Sequence, residues 1–260
     1  MLSTDQIAEF RDRGCVIIPQ LLSPAEVLQL RAEVDNALRS AFGADYGRNT
    51  RSEELSDGEI AAEGNFLPLM ADRAPLSLAL VADDPRLLPT AKELIGVEVL
   101  PVSPALATCM VSDTPWHNDP GTGERWVRFN AYLDPVGEAT GALRVKVGSH
   151  DDLRADPSSD LDDVAVLETK PGDVIAFDPR AMHASFGGTH RLRWCVDYAA
   201  LPSGDDRGGV EATRGLVEEL ASWPHPPEWP VWRTWARNAS HPRRLEAVAA
   251  LRQLGVDIDD

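Results

Sequence analysis

The sequence predicts a mainly β fold, a sandwich or barrel, with helices flanking it on both sides. Two observations carry this. Between Val97 and Ala200, short runs rich in β-branched and aromatic residues alternate with turns: VEVLPV, ALATCMV, RWVRFNAYL, GALRVKV, VAVLE, DVIAF and LRWCVDYAA. Before and after that stretch, apolar residues recur at helical spacing instead. No internal repeat, long linker or low-complexity run divides the 260 residues. One domain over residues 1–260 is therefore expected, with a helical part at 1–96, a β core at 97–202 and a helical segment at 203–260. The helices are expected to cover one sheet of the core, which buries the apolar face of both.

The elements follow in order. Ser3 and Gln6 have capping-box spacing, and Ile7 and Phe10 give a short apolar face ending at Gly14. CVIIP, from Cys15 to Pro19, reads as a buried strand. Ser23 and Pro24 open a second helix, Glu26 completes its capping box, and Val27, Leu30, Val34 and Leu38 line one side. Residues 47–66 are polar and contain glycine, so they read as a mobile loop, and Gly47 to Asn65 is a candidate lid. Leu87 to Ile95 reads as another helix. Pro171-Gly172 marks a turn between two strands. Pro242 to Leu254 reads as a final helix with Leu245, Val248 and Leu251 on one face and a stop at Gly255.

Composition excludes several classes. A formal net charge of −17 repels phosphate backbones, so no nucleic-acid partner is expected. The clusters Glu53-Glu54, Asp83-Asp84, Asp151-Asp152 and Asp160 to Asp163 read as solvated loops, since none matches a calcium-binding loop. No apolar run is long enough for a membrane span and no basic-plus-apolar leader is visible, so no membrane partner is expected. Three scattered cysteines without a CxxC pair suit a reducing, cytoplasmic location. The sequence carries no signal for oligomeric state.

The chemistry concentrates at TPWHNDPG, Thr114 to Gly121. In a strand, residues two apart project to one side, so His117 and Asp119 would point together with Asn118 turned away. A histidine near an aspartate most often makes only a surface hydrogen bond. Here a second histidine, His183 in VIAFDPRAMHASF, lies in the same β region and is the best third ligand among the remaining histidines. Two imidazoles and one carboxylate with three open positions are the arrangement that non-heme Fe(II) uses for oxygen chemistry. Arg191 and Arg193 follow in HRLRWCVDY. A guanidinium fork suits the far carboxylate of a dicarboxylic cosubstrate, though one strand arginine commonly serves an ordinary surface salt bridge. The two share a parity, so alternation does not choose between them.

These pieces together resemble the phytanoyl-CoA dioxygenase-like (PhyH) family of Fe(II)- and 2-oxoglutarate-dependent oxygenases. The matching stretches are WHND at 116–119, GALRVKVGSH at 141–150, KPGDVIAFDPRAMHASF at 170–186 and RLRWCVDY at 191–198, together with the opening QIAEFRDRGCVIIPQLLSPAEV. The resemblance covers roughly residues 3–200. It implies a double-stranded β-helix, the cupin-like jelly roll, with Fe(II), 2-oxoglutarate and O2 as cofactor and cosubstrates. It implies His117, Asp119 and His183 as the iron ligands. Counting back from Tyr198, it implies Arg191 as the 2-oxoglutarate anchor, while counting forward from His183 favours Arg193; Arg191 is preferred. Asn130 and Arg144 lie on strands that would line the same barrel and touch cosubstrate or substrate, or serve as structural contacts. Many relatives carry Lys or Gln on the strand before HxD; here it offers Thr108, Met110 and Ser112, of which Thr108 is the candidate cosubstrate contact. Asp119 is present where related halogenases have Ala or Gly, which disfavours halogenation. His150 reads as structural.

The expected reaction is oxidation of an unactivated C–H bond in a small molecule, hydroxylation foremost, with succinate and CO2 released and a setting in bacterial secondary metabolism. Desaturation, cyclisation and epimerisation remain open at this level. Trp223, Trp229, Trp232 and Trp235 crowd SWPHPPEWPVWRTW and read first as packing against the helical layer, with closure over a ring-containing substrate as the alternative. Two other readings stay open: zinc-dependent hydrolysis on the same β core, and a binding protein without turnover.

Overall fold

A computed structural model describes residues 2–48, 51–54, 60–69, 73–119, 125–151, 163–188, 190–221, 231–237 and 239–258. Helix α1 (Thr4–Arg13) starts where expected, with the Gln6 amide donating to Ser3 Oγ and the Ser3 amide donating back to Gln6 Oε1. It stops at Gly14, whose φ of 77° suits a residue without Cβ. A Cβ there would also strike His150 Nδ1 at 2.6 Å. Helix α2 (Pro24–Phe42) carries the Ser23/Glu26 capping box and buries Val27, Leu30, Val34 and Leu38; α3 (Pro75–Leu78) and α5 (Arg207–Ala221) follow further along the chain.

The strands form two sheets. The larger combines β1 (Cys15–Ile18), β2 (Arg51–Glu54), β3 (Ile60–Pro68), β4 (Val99–Pro101), β5 (Leu106–Met110), β7 (Trp126–Tyr132), β10 (Val174–Phe177) and β12 (Arg191–Ala200). Its order is β1-β10-β7-β12-β5-β3-β2, with β4 also paired to β12. The smaller runs β6-β11-β8-β9, made of β6 (Thr114–His117), β8 (Leu143–Lys146), β9 (Val164–Leu167) and β11 (His183–Ser185).

Alternation along these strands builds two cores. On the outer face of the larger sheet, Ala107, Phe129, Trp194, Val196 and Tyr198 pack with Leu30, Val34 and Leu38 of α2 and with Leu87 and Leu94 of α4 (Leu87–Ile95). On the inner face, Tyr132, Ile175, Phe177 and Cys15 meet Leu143, Val145, Ala165 and Leu167 of the smaller sheet. Burying both faces of the larger sheet's central strands is what makes β5, β7, β10 and β12 mostly apolar. The inner positions are where polar residues interrupt that pattern, and there the site forms. The architecture is the mostly antiparallel, helix-flanked jelly roll that the sequence predicts.

Several expectations need correction. Within 47–66, read as a loop and lid, Arg51–Glu54 and Ile60–Pro68 are strands, the second pairing with β5 from Gly64↔Met110 to Pro68↔Leu106. The polar composition hid two strands whose order comes from backbone bonding to each other and to β5; residues 55–59 lie outside the described set. The part at 1–96 therefore holds two strands beyond the expected β1. Asp83-Asp84 is not a solvated loop. Asp83 takes Arg244, whose Nε donates at 2.9 Å, and Asp84 takes Arg86 at 2.7 Å. In the last helix, α7 (Pro242–Gln253), Leu245 is 48% exposed while Arg244, Ala247, Val248 and Leu251 are buried. The Arg244–Asp83 pair rolls the helix so that the arginine, not Leu245, faces inward.

Trp232 and Trp235 of α6 (Val231–Arg237) are buried, edge to face with centroids 5.6 Å apart, in the helix-side core. That is the packing role expected first; Trp223 and Trp229 lie outside the described residues. His150 is buried, its Nε2 3.1 Å from the Arg11 carbonyl, in the structural role expected of it. No helix among the described residues is long and apolar enough to cross a membrane.

Candidate metal centre

Strand β11 runs antiparallel to β6 with His183 directly opposite His117. Directly opposed residues in such a pair project to the same face, so the two imidazoles lie together, ring centroids 4.2 Å apart. Each is oriented by its own turn of backbone: His117 Nδ1 lies 2.9 Å from the Pro115 carbonyl and His183 Nδ1 2.9 Å from that of Ala181. A carbonyl accepts only from an N–H, so Nδ1 carries the proton and Nε2 keeps its lone pair on both rings. Asp119 lies just past the end of β6. Its backbone N–H donates to the Pro179 carbonyl at 2.9 Å, which turns it back toward the rings. Asp119 Oδ1 then sits 3.6 Å from His117 Nε2 and 3.9 Å from His183 Nε2.

All three ligand atoms fall within 4.8 Å of one another. Two bare Nε2 atoms and a carboxylate oxygen converging on one point fit a divalent first-row metal. Asn118 is exposed, as the HxD spacing predicts.

The electrostatics favour cation binding. Burial pushes the His183 imidazole down to about 3, helped by the neighbouring His117, so it is neutral and open to a metal at physiological pH. Burial alone would raise the Asp119 carboxyl, but the Arg128 guanidinium outweighs it and holds the group well below the usual carboxylate range. Arg128 Nη1 donates to Asp119 Oδ2 at 2.6 Å and its Nε donates to Asp197 Oδ1 at 2.7 Å. Asp197 is fully buried and accepts a further bond from Ser103 Oγ at 2.9 Å.

Arg191 stands at the start of β12 on the same inner face, 4% exposed. Its Nη1 donates to Ser185 Oγ and its Nη2 to the Ser112 carbonyl at 2.5 Å, and it lies against the Gly141 carbonyl. Among the described residues these partners are all neutral, and Nε has none. Burial accordingly lowers its affinity for the proton. A buried guanidinium without a counter-ion is costly unless an anion arrives.

Arg193 shares the face, with Nε donating to Thr108 Oγ1 at 3.0 Å, so Thr108 is a buried partner of that arginine. Asn130 is fully buried between Cys195 and Ile175, and neither end of its amide has a partner among the described residues. Arg144 does not join the group. Leu143 and Val145 of β8 take the inner face, so Arg144 turns outward, 5.4 Å from the Phe186 ring centre and bonded to the Glu138 carbonyl.

Sequence reasoning missed Arg128, Asp197 and Ser185. The available signal was a charge set between apolar neighbours inside two strands, Arg128 in RWVRFNAYL and Asp197 in LRWCVDYAA; Ser185 carried no such signal.

The chain matches the family model "Phytanoyl-CoA dioxygenase (PhyH)" over residues 10–193. It belongs to that family and is an Fe(II)/2-oxoglutarate-dependent dioxygenase, which sets aside the hydrolase and non-catalytic readings. EctD from S. alaskensis with bound Fe is similar at 26% identity and a TM-score of 0.58, covering 77% of each chain. SnoK, a non-heme alpha ketoglutarate dependent carbocyclase from nogalamycin biosynthesis, shares the fold at 20% identity and a TM-score of 0.59, over 77% of this chain and 85% of that one. HygX from Streptomyces hygroscopicus, with nickel, 2-oxoglutarate and hygromycin B bound, does so at 16% identity and 0.55, over 76% and 88%. No curated protein matches the sequence.

Proposed function

We propose that His117, Asp119 and His183 hold Fe(II), that Arg191 anchors 2-oxoglutarate, and that the chain hydroxylates an unactivated C–H bond of a small molecule, releasing succinate and CO2. The observation that carries this is the convergence of His117 Nε2, Asp119 Oδ1 and His183 Nε2 beside a buried arginine whose hydrogen-bond partners among the described residues are all neutral. Fe(II) with 2-oxoglutarate and O2 supplies the oxidising chemistry when bound.

The chain's own residues supply position. The Pro115 and Ala181 carbonyls fix the tautomer of both imidazoles. Arg191, seated against Ser185, offers its charge to the far carboxylate, and the unpartnered Asn130 amide offers a donor and an acceptor on the same wall. Arg193 lies one alternation further along and adds positive potential. Phe177, its ring centroid 5.1 Å from that of His183, together with Ile175 and Tyr132, walls the site against water. Residues 1–96 and 203–260 act with the core at 97–202 as one domain.

The substrate class is supported by the relatives. SnoK belongs to nogalamycin biosynthesis, HygX holds hygromycin B, and a further EctD structure holds 5-hydroxyectoine. A bacterial secondary metabolite is the corresponding substrate here. Three free, buried cysteines suit the reducing cytoplasm as the place of action.

The test is anaerobic titration of the Fe(II)-loaded protein with 2-oxoglutarate. The visible metal-to-ligand charge-transfer band of a chelated keto acid is expected, and its loss in His183→Ala and Asp119→Ala. Iron binding without the band in the wild type, or an unchanged band in both variants, refutes the assignment.

A further inference from the structure

We propose that Arg128 is a positioning residue that reserves one oxygen of Asp119, leaving the other alone to serve as ligand. This rests on the reading of His117, Asp119 and His183 as the metal site. Asp119 Oδ1 faces both imidazoles, whereas Oδ2 accepts Arg128 Nη1 at 2.6 Å. A carboxylate free at both oxygens can take two coordination positions instead of one. Two imidazoles and a two-position carboxylate would leave too few sites for a chelating keto acid together with dioxygen. Engaging Oδ2 removes that option.

The arginine is itself held from behind. Arg128 and Asp197 are direct cross-strand partners on β7 and β12. Nε donates to Asp197 Oδ1 at 2.7 Å, while Ser103 Oγ donates to Asp197 Oδ2 and accepts from the Asp197 amide at 3.0 Å. Arg128 is 4% exposed and lies 5.3 Å from the centre of the Trp126 ring. Burial disfavours its charge, but Asp197 and Asp119 outweigh that. Were Arg128 only the counter-ion of Asp197, nothing would require a second nitrogen to reach a residue beyond the end of β6. The chain Ser103–Asp197–Arg128–Asp119 instead ties a ligand outside any strand to the rigid centre of the larger sheet, an outer support of the kind that sets ligand geometry.

The experiment uses Co(II) as a spectroscopic stand-in and compares wild type, Arg128→Met, Arg128→Lys and Asp197→Asn. Co(II) affinity is measured by chelator competition, the ligand-field spectrum is recorded before any keto acid is added, and 2-oxoglutarate affinity of the loaded protein is measured by calorimetry. Arg128→Met is expected to keep Co(II) affinity close to wild type, to change the spectrum, and to weaken 2-oxoglutarate by about tenfold or more. Arg128→Lys is expected to recover part of both changes, because a single donor still reaches Oδ2.

An unchanged spectrum with unchanged 2-oxoglutarate affinity overturns the proposal. So does a parallel loss of metal and keto-acid affinity that Lys does not rescue, since that marks a merely structural role. If Arg128→Met does not fold, Asp197→Asn, which keeps the arginine and loosens its support, is expected to move the same two readouts in the same direction, and wild-type values there overturn the proposal. Absence of 2-oxoglutarate binding by wild type sinks the cosubstrate reading alone; the spectral change on replacing Arg128 then decides its hold on Asp119.

Discussion

Replacing Gly141 with alanine displaces Arg191, the proposed 2-oxoglutarate anchor, without replacing any residue proposed to meet a ligand. Gly141 has φ of 89°, and a Cβ built there lies 2.5 Å from Arg191 Cδ and closer still to Nη1. The guanidinium cannot stay where it is. Its bonds to Ser185 Oγ and Ser112 O would be lost with its aim. Left-handed backbone at a residue with Cβ costs about 1–2 kcal/mol, which a thermal melt would report as a modest loss of stability. The functional effect is larger. A charge-assisted pair between Arg191 and a carboxylate contributes about 1.5–3 kcal/mol, so the KM for 2-oxoglutarate should rise by roughly 10- to 100-fold. Because the arginine grips an end of the cosubstrate remote from the reacting atoms, kcat at saturating 2-oxoglutarate should change far less. Measuring succinate formation against 2-oxoglutarate concentration separates the two. A variant with lowered stability and an unchanged KM for 2-oxoglutarate would refute the assignment of Arg191 and move it to Arg193.

Three further outcomes are expected. Leu251→Ala, at a fully buried position of α7, should cost about 2–5 kcal/mol in chemical denaturation, whereas Leu245→Ala should stay within about 0.5 kcal/mol; equal losses would contradict the orientation of that helix. Arg86 holds the Glu26 carboxyl down to about 2, against an ordinary value of 4.5. The folded state therefore binds this proton less readily than the unfolded one, and the stabilisation is complete above pH 4.5 and lost as pH falls toward 2. Glu26 is partly exposed and its pair is screened, so Glu26→Gln should cost about 1 kcal/mol at neutral pH, and stability curves of the two proteins should converge in acid. Tyr198→Phe removes the hydroxyl donated to the Val81 carbonyl at 2.7 Å and should cost about 1–3 kcal/mol with keto-acid binding intact, since that ring points away from the site.

The helix caps, the run of strands from Val97 to Ala200 and the HxD pair with a distant histidine were legible in the sequence. Each is local: a capping box spans four residues, alternation shows within one strand, and two candidate ligands two residues apart announce themselves. The order of motifs carried the family. Not legible there were the strands at 51–54 and 60–68, which gain their order from backbone pairing with each other and with β5. Nor did the sequence show which face of α7 is buried, because the Arg244–Asp83 pair joins residues remote along the chain.

At the site, only tertiary structure decided that Arg144 turns outward, that Arg191 is buried among neutral partners, and that Arg128 holds Asp119 from behind. His117 and His183 come face to face through the pairing of β6 with β11, and Arg128 and Asp197 through that of β7 with β12. Strand register across a barrel brings together residues tens of positions apart, and no local pattern encodes which of them will meet.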